Sequence, residues 1–210
     1  MDADLSSYVR PSVAVDTVVL TVSPDGDLRV LLVRPRDLRH GDWALPGTFL
    51  HEGETLADAV LRSLRTKAHV EGLRPRQLHV FDDPRRDDRG WVLSVAHLDL
   101  VPWELLGDAP ERDDVRLAPP DRTGPLPFDH AAVVRLGVQR ARQDYATAPD
   151  PAGLLAGPFT LRQLQQVHEA VAGEALPRDT FRRRVEPALR ATGRMSSGRV
   201  GKPARLFERR

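Results

Sequence analysis

Residues 45–70 read LPGTFLHEGETLADAVLRSLRTKAHV, and this stretch decides the fold of the first two-thirds of the chain. Its front half holds a proline and two glycines within residues 46–53, with Glu54 next, the composition of a turn rather than of a regular element. Its back half changes period. Leu56, Ala59, Val60 and Leu64 fall at i, i+3, i+4 and i+8, one apolar stripe of a helix. Thr55, with Asp58 three residues on, has the pattern of a capping box and predicts the helix start. Positions 63, 66 and 67 then share one face of that helix, and they are Ser63, Thr66 and Lys67.

Outward from this turn and helix, the pattern alternates between strands and helices. Residues 13–22 are rich in Val and Thr and read as a strand. The turn Pro24-Asp25-Gly26-Asp27 leads into a second strand at 28–34, making a hairpin. Further strands are predicted at 77–81 and 91–100, separated by the polar loop DDPRRDDRG, and residues 107–127 read as loop. A second helix runs from about 129 to 145 with Asp129 as its N-cap. Such alternation predicts an α/β (α+β) sandwich over residues 1–146. Residues 147–157, rich in Ala, Pro and Gly, read as a linker.

Residues 158–210 form a second, smaller unit. In FTLRQLQQVHEAVA, Thr160 and Gln163 make another capping box, and Phe159 with Leu164 makes a hydrophobic staple. Leu161, Leu164, Val167 and Val171 form the apolar stripe, and Gly173 marks the stop. Pro177 opens the next helix, whose Phe181, Val185 and Leu189 face inward. Asp179, Arg182, Arg183 and Glu186 then point outward, with Arg178 at the edge, and Pro187 ends or kinks the helix. Helix, tight turn and arginine-bearing helix is the helix-turn-helix pattern. The tail RMSSGRVGKPARLFERR reads as a β-hairpin wing that would carry Arg194, Arg199, Lys202 and Arg205 near phosphates or the minor groove.

Composition agrees with two unequal units. The net charge over 210 residues is +1, but it is unevenly spread. Residues 158–210 hold 12 Lys/Arg against 5 Asp/Glu, a balance of +7, which leaves about −6 for residues 1–157. A basic segment attached to an acidic body suggests a module for a polyanion. The absence of cysteine excludes disulfides, thiolate zinc sites and thiol catalysis. No apolar run approaches the roughly 20 residues of a membrane span, and MDADLSSYVR has no signal-peptide pattern, so the expectation is a cytoplasmic, nucleoid-associated protein.

The 45–70 stretch resembles the Nudix box, in which a glycine is followed by a Glu after five residues and by Arg-Glu-apolar-x-Glu-Glu-x-Gly after seven more. Glu54, Arg62 and Leu64 match. Ser63, Thr66 and Lys67 stand at the three helical carboxylate positions, and Thr48 and His69 replace the glycines. Magnesium needs hard oxygen ligands, and an ammonium repels it. The resemblance with these departures implies a Nudix-like fold that has lost metal-dependent hydrolysis and become a sensor, with no cofactor and no metal. Arg34, Arg62, Arg86 and Arg89, together with Glu54, are the candidate ligand-binding residues, since guanidinium forks suit diphosphate oxygens. The loop from Arg86 to Gly90 resembles that of ADP-ribose-recognising Nudix proteins, and Trp43 is placed either in the core or against a base.

FTLRQLQQVHEAV, FRRRV and GKPARLF resemble the C-terminal domain of the NrtR family of Nudix-related transcription regulators, so the likeness spans nearly the whole chain. It implies a homodimeric repressor of NAD metabolism genes that binds a double-stranded DNA operator and responds to ADP-ribose or a related nucleotide. Arg178, Arg182, Arg183, Arg199, Lys202 and Arg205 are the DNA-binding candidates. Two other readings stay open at the level of sequence: a Nudix hydrolase acting on a nucleoside diphosphate derivative, and a nucleotide or protein module that does not bind DNA.

Overall fold

The computed structural model describes residues 7–35, 43–197 and 203–210. Strand β1 (Ser12–Val22) is the centre of the first unit. It pairs in parallel with β5 (Val92–Leu100) over its first nine residues, and antiparallel on its other edge with β3 (Gly47–Phe49) and then β2 (Leu28–Val33). With β4 (Arg76–Phe81) beyond β5 and β6 (Val115–Ala118) beyond β2, the sheet order is β4-β5-β1-β2-β6, with β3 beside β1. Both faces of β1 are covered, which explains why its sequence is almost continuously apolar instead of alternating.

The period of two sorts its side chains. Val18 and Leu20 of β1 and Val30 and Leu32 of β2 pack under helix α2 (His130–Thr147), whereas Val15, Val19, Leu31 and Val33 pack under helix α1 (Leu56–Ser63). The α/β sandwich expected from the sequence is therefore present. Two strands inside expected loops were missed. β3 has only three residues and β6 only four, both too short for alternation to register. The capping box at Thr55 forms on both sides with Asp58. The helix it starts passes into a π-helical turn over Leu64–Ala68 that closes at His69, with φ +57°. Asp129 precedes α2, but its side chain does not cap it.

The second unit contains helix α3 (Leu161–Ala172), helix α4 (Arg178–Val185) and a three-stranded sheet in the order β7-β9-β8. These strands are Phe159–Thr160 (β7), Leu189–Met195 (β8) and Arg205–Arg209 (β9). The Thr160–Gln163 capping box is complete, and Gly173 ends α3 at φ +77°, a left-handed position that suits a residue without Cβ. Pro187 lies in a 3-10 turn after Val185, so Leu189 reaches the core from a strand rather than from the helix. Helix, turn, helix and β-hairpin make the winged helix anticipated above.

The connection between the units is not a loose tether. Ala152, Leu154 and Leu155 pack inward, and Asp150 is buried and central to the junction. It accepts from the Tyr145 hydroxyl at 2.7 Å, from the Leu154 amide at 2.9 Å, and also from Arg209 at the end of β9. Burial and the neighbouring Asp150 charge push the Tyr145 hydroxyl far up, so it stays a donor. The α3 stripe is divided between two cores. Leu164 joins Phe159, Phe181, Val185, Leu189 and Phe207, while Val167 and Val171 join the core beneath α2. Burying each such aliphatic side chain is worth roughly 1.5–3 kcal/mol.

Candidate functional site

The turn that opens the box is shaped from below by a buried polar cluster. Asp16, the only acid in β1, accepts from Ser94 Oγ at 2.5 Å and lies 3.2 Å from His130 Nε2 and 3.4 Å from Arg86 Nη2. Burial disfavours its charge, but His130, Ser94 and Arg86 outweigh that and hold the carboxyl at about 2. His130 Nδ1 accepts from the Leu45 amide at 3.2 Å, so its proton sits on Nε2, aimed at Asp16. Gly47 touches the same carboxylate. A Cβ there would lie 2.1 Å from Asp16 Oδ1 and 2.9 Å from the Val15 carbonyl, so no larger residue fits this turn.

Above that cluster, Glu54 and Arg62 are bound to each other. Arg62 Nε and Nη2 donate to the two Glu54 oxygens at 2.7 and 2.8 Å, while Nη1 reaches Thr48 Oγ1 at 3.1 Å and Nη2 reaches the Phe49 carbonyl at 2.9 Å. The hydrogen bonds from Arg62, joined by the His51 amide, hold the Glu54 carboxyl at about 2. Both residues thus brace the loop between β3 and α1.

The remaining box positions do not fit a divalent cation. Ser63 is fully buried, with no hydrogen-bond partner for its hydroxyl among the described residues. Thr66 Oγ1 is spent on the Arg62 carbonyl at 2.8 Å. Lys67 Nζ donates to the Gly47 carbonyl at 2.6 Å, which places a positive charge where the box would place a carboxylate. One covalently attached cation stands at the edge of the turn.

Arg34 and Arg86 have opposite settings. Arg86 is buried and corrects the expectation of a phosphate ligand, because its guanidinium is held by Asp129 at 2.9 and 2.6 Å and by Asp16. Asp129 is thereby drawn off its expected capping role. Arg34 is exposed, with Cζ 4.7 Å from the centre of the half-buried Trp43 ring, and Arg116 stands over the same ring at 5.8 Å. Arg116 was missed because β6 was read as loop. Arg89 pairs with Asp87 at 2.8 Å and lies 5.0 Å from the Phe128 ring and 5.5 Å from that of Phe49. A cavity of about 1140 Å3 lies elsewhere, between α2, α3 and the turn at Asp25–Leu28, and is lined by none of the predicted site residues.

On the winged helix, Arg178, Arg182 and Arg205 line one groove of about 720 Å3 between α3, α4 and β9. Arg182 Nε is paired with Glu186 at 2.6 Å, and Arg183 lies exposed beside it, with Nε 3.3 Å from the Asp179 carbonyl. Arg194 is exposed on β8, and Arg190 on the same strand is paired with Glu208. Arg199 and Lys202 lie outside the described residues. Arg184, which no spacing argument singled out, turns back toward His168 of α3.

Residues 12–136 match the NUDIX domain family, and residues 151–208 match the NrtR DNA-binding winged helix domain. The fold is similar to that of Shewanella oneidensis NrtR in its crystal structure with a 27mer DNA, with a TM-score of 0.78, 34% identity, and 94% of this chain and 93% of that chain covered. The chain belongs to the NrtR family. In sequence, the chain is similar to the ADPR responsive transcriptional repressor NtrR of Acinetobacter baylyi, 27% identical over 187 residues, or 86% of this chain and 74% of that protein. The ADP-ribose pyrophosphatase of Methanocaldococcus jannaschii is 34% identical over 135 residues, 61% of this chain and 73% of the enzyme. NrtR-type architecture, a Nudix domain followed by a winged helix, thus accounts for both units of the chain. Among the described residues, no helix is long and apolar enough to cross a membrane.

Proposed function

We propose that this chain is a transcriptional repressor whose Nudix domain binds ADP-ribose, or a closely related nucleotide, without hydrolysing it. Lys67 carries the reading: its ammonium is bonded to the Gly47 carbonyl at 2.6 Å, on the face where a hydrolase needs carboxylates. The two relatives named above support the choice of ligand, since one responds to ADP-ribose and the other cleaves it. Arg34 and Arg116 beside Trp43 offer stacking and positive charge to a nucleotide, and Arg89 lies close to two phenyl rings.

The chain works as a homodimer on a two-fold operator, in the cytoplasm, at genes of NAD metabolism. Arg178, Arg182 and Arg183 enter the major groove from α4, and Arg205 with the wing residues Arg199 and Lys202 neutralises phosphates. Ligand binding shifts the equilibrium between dimer geometries, only one of which spaces the two winged helices for both half-sites.

Fluorescence anisotropy on DNA from upstream of the chain's own and neighbouring genes tests this, with scrambled competitor and with ADP-ribose added. Specific binding that ADP-ribose alters is the expected result; no specific binding to any such site would discard the repressor. A second reading, hydrolysis of ADP-ribose, is favoured by the 34% identity to the pyrophosphatase. Release of AMP in magnesium, measured on the same preparation, would establish it.

A further inference from the structure

His168 occupies a singular position. It lies on α3 at 3% exposure, on the side that faces neither core alone. Its ring meets Tyr145 of α2 edge-on with centroids 5.1 Å apart, and Phe181 of α4 edge-on at 4.9 Å. Its nitrogens are both engaged. Nε2 lies 2.5 Å from the Pro149 carbonyl, just beyond α2, and Nδ1 lies 3.3 Å from Arg184 Nη2 on α4.

These partners leave one protonation state. A carbonyl only accepts and a guanidinium only donates, so Nε2 carries the proton and Nδ1 presents its lone pair. The imidazole is therefore neutral, and each nitrogen bonds a different unit. Burial, with the adjacent Arg184 charge, lowers the basicity of the ring and keeps it in that state, against the pull of the Pro149 carbonyl and Asp150.

We propose that His168 is the positioning residue that orients the recognition helix α4 on α3, and so relative to the sensor helix α2, through the bond from Arg184 to its Nδ1, with the Pro149 carbonyl at Nε2 fixing the tautomer that presents that lone pair. α4 packs on α3 through Phe181 and Val185, an apolar contact that is non-directional. The bond from Arg184 to His168 supplies the directional contact that selects one orientation. Asp150 performs the matching task for the wing, because it joins Tyr145 of α2 to Arg209 of β9. The two struts make the reading head follow α2 instead of turning independently of it.

The proposal goes beyond the repressor reading and relies on it only for its second measurement. The chain has no cysteine, so spin labels can be placed cleanly at Gln143→Cys on α2 and Thr180→Cys on α4, both exposed. Two further variants separate the nitrogens. His168→Asn keeps an acceptor near the Nδ1 position for Arg184, whereas His168→Gln keeps a donor near the Nε2 position for Pro149 and loses the Arg184 bond.

In the full chain, the α2–α4 distance distribution measured by pulsed electron resonance should be narrow for the parent and for His168→Asn, and broad for His168→Gln. Equal widths for the Gln variant and the parent would overturn the proposal. So would equal broadening by Asn and Gln, which would assign His168 to packing alone. Affinity for operator DNA should fall about tenfold with Gln and less than about threefold with Asn, as expected for loss of one charged hydrogen bond. A parent that binds no DNA would defeat the repressor reading and leave the distance measurement to decide the strut.

Discussion

Lys67 Nζ and the carbonyl of Gly47 are joined across 2.6 Å, although twenty residues separate them in the chain. The bond fastens the last turn of the box helix to the first residue of β3. The protein carries this cation itself. ADP-ribose affinity measured by calorimetry should therefore be the same in EDTA and in millimolar magnesium. Lys67→Met should weaken it about tenfold, equivalent to about 1.4 kcal/mol. A magnesium requirement for binding would refute this account.

Replacing Asp16 by Asn leaves Arg86 with one carboxylate fewer inside the domain, and it converts an acceptor shared by Ser94 and His130 into a neutral amide. Breaking a buried pair in this way costs about 3–5 kcal/mol. The retained Asp129 contact places the expected loss near the lower figure. Urea unfolding of D16N checks it, and an unchanged midpoint would contradict the role assigned to the cluster.

Acid should weaken the Nudix domain. Asp16 and Glu54 are both held at about 2, below their ordinary values of 3.8 and 4.5. A carboxyl with a depressed folded value contributes stability above its unfolded value and loses that contribution as pH falls through the folded one. Stability should thus decline between about pH 4.5 and pH 2. In an Asp16→Asn, Glu54→Gln double variant the decline over that window should be shallower, as read by urea midpoints at stepped pH.

His69 holds φ +57° at the position where the Nudix box has glycine. A left-handed backbone costs a non-glycine residue roughly 1–2 kcal/mol. Its contact with Asp114, 3.2 Å away, is half-exposed and weak by comparison. His69→Gly should raise the urea midpoint by the equivalent of about 0.5–1 kcal/mol, after allowing for the greater freedom of glycine in the unfolded chain.

Arg205 and Arg182 should differ in what they contribute to DNA binding. If Arg205 neutralises one phosphate, Arg205→Ala reduces the slope of log affinity against log salt by about 0.9 on every sequence tested. Arg182→Ala should instead narrow the gap between operator and scrambled DNA, by about 1–3 kcal/mol if it reads a base. The same salt-slope change for both would place Arg182 on the backbone.

Elements with strong local signals were legible in the sequence. Thr55 and Thr160 both announced their helices through capping boxes, and Gly173 announced the end of α3. β6 was not legible, because its four residues sit among prolines and gain their strand character only by pairing with β2. The candidate site was legible as a list of residue types but not as a set of partners. Spacing brought Glu54 and Arg62 forward as two positions of one motif, yet it could not reveal that each satisfies the other. Arg86 belonged to a charged loop by sequence and to a buried triad in space, since Asp16 and Asp129 reach it from distant segments. Two signals could have been used: an aspartate inside the apolar run of β1, and a histidine at 168 in step with Leu164 and Val171.

The division of α3 between two cores bears on how such regulators can diversify. Cutting the chain before residue 158 would bare Val167 and Val171, which have their packing partners beneath α2. The DNA-reading end is therefore not a cassette that recombination could move intact onto an unrelated sensor. New operator specificities in this lineage should arise by exchanging exposed residues of α4 and the wing, while the α2-facing side of α3 and its partners on the Nudix sheet change together.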